Sequence, residues 1–426
     1  MVYEILNIKG LTLIISPFKD IETSSLGIFL KTGARFEKKS QKGIAHFLEH
    51  MLFKGSKNYS YRKIKQEIEG RGGSLNAFTS QEITAYYAHF LNRNTKITLD
   101  ILLDMVMRPS FKDKEITKER KVILEEIKMY NDLPSVRSIA LLDRLLWKNH
   151  PLGEEIIGNN QTVEKISKSD LSSFLRKHYQ PSNIVISFSG ATSKDLIAGL
   201  LQEKITKKKA SAGLRSFTPF SLQGLHIECE KKKLEQSHLC VGFRSVSYLD
   251  KDRLSAQLIN VILGANMSSR LFEELREKKP LCYDISTEQR MYHDSGAFII
   301  HMGLNKDKIP VALLAILGQL NKIKEDQVSA KELLRAKDYL LGQFAMSLEQ
   351  PQSRMFYLAQ EYITQSKIAD FDSLKKNVDL ITPTEIKRVA KNIFKFKDIC
   401  ISCVGNIEDD IKEKLKNTVK KGGLYS

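Results

Sequence analysis

Gly43-Ile44-Ala45-His46-Phe47-Leu48-Glu49-His50-Met51-Leu52-Phe53 carries two histidines and a glutamate in the order H-x-x-E-H. On a helix, His46 and His50 stand at i and i+4, so both imidazoles leave one face about one turn apart. Two ring nitrogens at that separation can hold one metal ion, and Glu49 beside them can take a proton from a water. The order is the reverse of H-E-x-x-H and is itself a zinc-hydrolase pattern. Ile44, Phe47, Leu48, Met51 and Leu52 give the same segment an apolar stripe. A core helix with two incidental histidines is therefore the plainer reading, and a third ligand would separate the two.

A catalytic zinc usually takes three protein ligands and keeps one position open. The run from Lys114 to Lys128 has helical periodicity, with Ile116, Glu119, Ile123, Glu126 and Tyr130 on one face. Two carboxylates on an otherwise apolar stripe cost several kcal/mol each unless a cation compensates them. A solvated helix face is the alternative, since Glu is common on exposed helices. Beside a two-histidine motif, a metal ligand accounts for the pattern better.

His46-x-x-Glu49-His50 followed by Glu126, 76 positions after His50, resembles the pitrilysin/insulinase metallopeptidases. More narrowly, it is similar to the mitochondrial processing peptidase type and its bacterial relatives of about this length. The resemblance implies His46, His50 and Glu126 as ligands of one zinc ion per chain, Glu49 as general base, and Glu119 as an acid behind the ligands. Glu125 adjoins Glu126, but spacing and helix face favour Glu126.

The chain also repeats itself. Residues 166–190 lie over 381–405 without a gap, at an offset of 215. Each copy opens with a capping box, Ser167-x-x-Asp170 and Thr382-x-x-Glu385. Each closes with a β-rich segment ending in glycine, and a repeat this long indicates duplicated units. Strands are expected at Leu11 to Ser16, Ser24 to Leu30 and Ser237 to Arg244, with long helical stretches after them. That order predicts an α+β fold of two similar tandem domains, each a mostly antiparallel sheet packed with helices. We expect a first domain over 1–206, a basic linker of small residues over 207–219, and a second domain over 220–426.

The second half lacks H-x-x-E-H but holds Arg276 and Tyr283, seven residues apart. In the family, an Arg and a Tyr at this spacing contact the substrate and the tetrahedral intermediate. An Arg fork can hold a carbonyl, and a phenol can donate to a developing oxyanion. Asn76-Ala77-Phe78-Thr79 matches the family's edge strand, which pairs with the peptide being cut. Edge pairing suits an enzyme of loose sequence preference.

Composition narrows the setting. Five cysteines offer one CxxC, Cys400-x-x-Cys403, and no second pair to complete a cysteine zinc set, which reads as buried thiols in a reducing compartment. Cys400 and Cys403 fall on one strand, facing opposite sides. No apolar run approaches membrane length and no leader is evident, so a cytoplasmic protein is expected, although a matrix protein would look alike. The net charge of +17 is spread over dispersed lysines without a nucleic-acid-binding motif, so neither nucleic acid nor membrane is an expected partner. The resemblance implies a zinc-dependent endopeptidase with its chamber between two chains, a homodimer in which Arg276 and Tyr283 complete the other chain's site. The alternative is a non-catalytic or partner-dependent subunit that binds peptides. The complete set of zinc-site residues argues against it.

Overall fold

A computed structural model describes residues 2–205 and 222–423. The expected linker at 207–219 lies outside the described residues. The fold is α+β, built on two sheets.

The first sheet contains β1 (Glu4–Ile8), β2 (Leu11–Pro17), β3 (Thr23–Leu30), β4 (Ser74–Thr79), β5 (Thr84–Leu91) and β6 (Ile184–Gly190), in the spatial order β1-β2-β6-β3-β5-β4. The second contains β7 (His226–Lys231), β8 (Ser237–Ser245), β9 (Cys282–Met291), β10 (Gly296–Leu304) and β11 (Cys400–Gly405), ordered β7-β11-β8-β10-β9. β6 and β11 are buried along their whole length. Their near-continuous apolar and small residues suit a strand covered on both faces.

The two sheets share one connectivity. β6 runs parallel to β2 and antiparallel to β3, as β11 does to β7 and β8. The antiparallel series β3-β5-β4 is repeated as β8-β10-β9. The glycines that close the repeated segments have the same local reason. A Cβ on Gly190 would lie 1.9 Å from Ser24 Oγ, and one on Gly405 would lie 2.1 Å from Ser237 Oγ. Cys400 and Cys403 belong to different core clusters, on opposite faces of β11.

The compact units are discontinuous in sequence. One gathers 2–128, 154–205 and Ala345–Asp370, and the other takes Met129–Gly153 together with 222–344 and 371–423. In the first, the helix Pro351–Gln365 lays Met355, Leu358 and Ala359 on Phe29, Ala85 and Val185. In the second, the helix Pro134–Leu146 lays Leu142 and Leu146 on Cys240, Ala297, Ile299 and Cys400. Each helix begins on a proline, where the missing N–H costs nothing. The boundaries expected from sequence kept both helices with their neighbours in the chain. An apolar stripe shows that a helix is buried but not beneath which sheet.

Candidate metal centre

The centre is built on the nine-residue helix Ile44–Leu52. It starts at Gly43, whose φ of 90° and whose contact with Ile157, where a Cβ would lie 2.5 Å from the carbonyl oxygen, both require glycine. Gly43 offers no side-chain cap. The cap comes instead from Glu37, whose carboxyl oxygens accept from Gly43 N–H at 2.9 Å and Ala45 N–H at 2.8 Å. Ile44, Phe47, Leu48, Met51 and Leu52 face the core, which turns His46, Glu49 and His50 toward the second helix, Asp113–Asp132.

The imidazole centroids of His46 and His50 are 4.7 Å apart. Glu126 faces both, with Oε1 3.9 Å from His46 Nε2 and Oε2 3.6 Å from His50 Nε2. One donor atom from each of the three lies within 4.8 Å of the others. Tetrahedral zinc with ligands at about 2.0–2.1 Å separates its donors by roughly 3.3–3.5 Å, so the three side chains would have to close on the ion by up to about an ångström to hold it. Glu125 points away and pairs with Lys128 at 2.7 Å.

Glu119 is buried and accepts from His50 Nδ1 at 3.2 Å while its other oxygen meets Lys54 Nζ at 2.7 Å. A proton on Nδ1 leaves the Nε2 lone pair directed at the centre, the arrangement a ligating histidine needs. Burial would raise the Glu119 pKa, but the hydrogen bonds from His50 and Lys54 outweigh it and hold the group below its ordinary value. His46 has no comparable support. Its Nδ1 is buried without a hydrogen bond among the described residues. Burial, then the neighbouring His50, push its pKa down to about 4. A neutral imidazole facing a carboxylate is poised for a cation.

Glu49 is pushed upward by burial, against the hydrogen bond from Thr79. Thr79 Oγ1 donates to Glu49 Oε2 at 2.5 Å. The sequence placed Thr79 on the strand expected to pair with substrate, and its hydroxyl in addition donates to Glu49. Asn76, Ala77, Phe78 and Thr79 all lie on β4, the outer strand of the first sheet. The Phe78 ring packs 6.0 Å from that of Phe356. Glu37 and Lys54 were not singled out from sequence, because neither belongs to a periodic pattern or a motif.

Residues 14–160 match the family described as Insulinase (Peptidase family M16). Residues 165–340 match Peptidase M16 inactive domain. The chain belongs to the M16 peptidase family. The M16 inactive-domain match falls where the H-x-x-E-H motif is missing. An uncharacterized zinc protease of Bacillus subtilis is 32% identical over 388 residues, covering 91% of this chain and 94% of the relative. One of Rickettsia bellii is 31% identical over 390 residues, covering 91% and 93%. In fold, the chain resembles a protease from Helicobacter pylori with a TM-score of 0.87 at 22% identity, over 95% of this chain and 99% of that one.

Arg276 and Tyr283 lie in the other unit. Arg276 sits in a six-residue π-helical stretch, Glu273–Lys278, and Tyr283 near the start of β9. The Arg276 guanidinium lies 5.9 Å from the Tyr283 ring centroid and 4.7 Å from that of Phe272. Tyr283 is 75% exposed. Among the described residues no helix is long and apolar enough to cross a membrane.

Proposed function

We propose that this M16 chain is a zinc-dependent endopeptidase that cuts extended or unfolded peptides in a chamber formed between two chains. The observation that carries this reading is the meeting of His46, His50 and Glu126 donor atoms within 4.8 Å. When bound, zinc supplies Lewis acidity toward the scissile carbonyl and acidifies a water. Glu49 takes the proton of the attacking water and returns it to the leaving amine. Its upward shift by burial suits that task, because a base closer to neutral gives the proton back more readily. Glu119 holds the His50 tautomer, and Thr79 holds the Glu49 carboxylate.

The substrate adds to the free edge of β4 alongside Asn76, Ala77, Phe78 and Thr79, where backbone pairing gives affinity without strict sequence demands. Arg276 and Tyr283 of a second copy stabilise the oxyanion, so the enzyme works as a homodimer. A reducing, cytoplasmic setting suits the five free thiols.

The test is complementation. Glu49→Gln and Arg276→Ala chains should each be inactive alone against an unstructured peptide. Mixed dimers should regain activity, because one of their two sites then has both an intact base and an intact arginine. Full inactivity of the mixture would rule out completion in trans.

A further inference from the structure

We propose that Glu37 is a positioning residue for the metal centre, a clamp on the start of the Ile44–Leu52 helix that sets where His46 stands. This rests on the reading of His46, His50 and Glu126 as metal ligands.

The two histidines are held differently. His50 is oriented from outside its own helix by Glu119. His46 has no hydrogen bond of that kind, its Nδ1 being buried and unpartnered among the described residues. Its ring direction therefore depends on packing and on the placement of the backbone that carries it. His46 is the third residue of a short helix, within the frayed turn where N–H groups have no intrahelical acceptor. A helix start with glycine at the cap and no side-chain acceptor is free to shift. Glu37 removes that freedom by accepting from Gly43 and from Ala45, the residue immediately before His46. Two bonds to one carboxyl group fix rotation as well as translation.

The surroundings hold Glu37 in turn. It is only 7% exposed, and the buried Lys42 ammonium, which makes no hydrogen bond among the described residues, acts on it as a positive charge. The backbone just upstream is anchored to the β4–β5 turn. Ala34 N–H donates to Ser80 O at 3.0 Å, Arg35 N–H to Gln81 O at 2.9 Å, and the Arg35 side chain pairs with Glu82. Gly33 permits this approach, since a Cβ there would lie 2.2 Å from Ser80 O. One loop thus holds both the start of the metal helix and the turn that follows Thr79, the residue bonded to Glu49. An ordinary helix cap supports the fold alone. This one stands one residue from a ligand that lacks any other hydrogen-bonded support.

The experiment measures zinc affinity by competition with a chromophoric chelator, and the absorption spectrum of the cobalt-substituted protein. It compares wild type, Glu37→Gln and Ser167→Ala. Ser167→Ala removes a cap from a different helix, at a comparable cost in stability of about 1 kcal/mol. Glu37→Gln should bind zinc at least ~10-fold more weakly, as loss of an outer support typically does, with an altered cobalt spectrum. Ser167→Ala should match wild type in both. If Glu37→Gln does not fold, Glu37→Asp, which keeps the carboxyl group but withdraws it by one methylene, carries the same expectation. Wild-type affinity and spectrum in the Glu37 variant, or equal losses in both variants, would overturn the positioning role. A wild type that takes up no zinc would remove the metal-centre reading and this role with it.

Discussion

Thr79 on the outer strand of the first sheet donates its hydroxyl to Glu49 at 2.5 Å. The strand available to an extended peptide and the residue placed to move the proton are therefore mechanically joined. Replacing Thr79 by Val keeps the shape and removes the donor. We expect kcat to fall about 10-fold, or roughly 1.4 kcal/mol of barrier, with KM within a factor of about two. Steady-state kinetics on an unstructured peptide measure both, and an unchanged kcat would contradict the coupling.

The helix Pro351–Gln365 supplies the cover for one face of the first sheet although it comes from the second half of the chain. Leu358 is fully buried there. Leu358→Ala should destabilise the protein by about 2–5 kcal/mol through lost burial and the cavity left behind. Denaturant unfolding followed by circular dichroism reads this as a lowered midpoint. A change within ~0.5 kcal/mol, the range of surface substitutions, would mean the helix does not hold that face.

Burial pushes the Glu37 carboxyl up to about 8 from its ordinary 4.5, against the hydrogen bonds from Ala45 and Gly43 and the Lys42 charge. A group whose pKa is raised by folding holds its proton more tightly in the folded chain. Its contribution is complete below about 4.5 and is lost as pH rises toward about 8. The stability of wild type minus that of Glu37→Gln should therefore decline between pH 5 and 8 and level off above. Thermal unfolding of both proteins across that range checks the sign. A difference that grows with pH would show instead that folding lowers the Glu37 pKa.

The site was legible where residues obey a period. His46, Glu49 and His50 follow from one helical turn, and Glu126 was separable from Glu125 because only one of them shares a face with Ile116 and Ile123. The duplicated sheet was legible for a related reason, since its returning strands keep length, apolar content and a closing glycine. Glu37 was not legible, because a capping acid six residues upstream in a loop leaves no periodic trace. The exchange of Pro134–Leu146 and Pro351–Gln365 between units was hidden because amphipathicity records burial without recording the partner. Thr79 was found as part of the outer strand but its bond to Glu49 was not, since a strand residue's side-chain neighbours are not written in its alternation.

Cleavage of an unstructured peptide by the zinc-loaded wild type, set against zinc-loaded Glu49→Gln, tests the central claim most directly. The account predicts turnover by the wild type and loss of nearly all of it in the variant, with zinc still bound at His46, His50 and Glu126. Equal turnover by the two proteins would contradict the assignment of Glu49, and wild-type silence in the presence of bound zinc would contradict the peptidase itself.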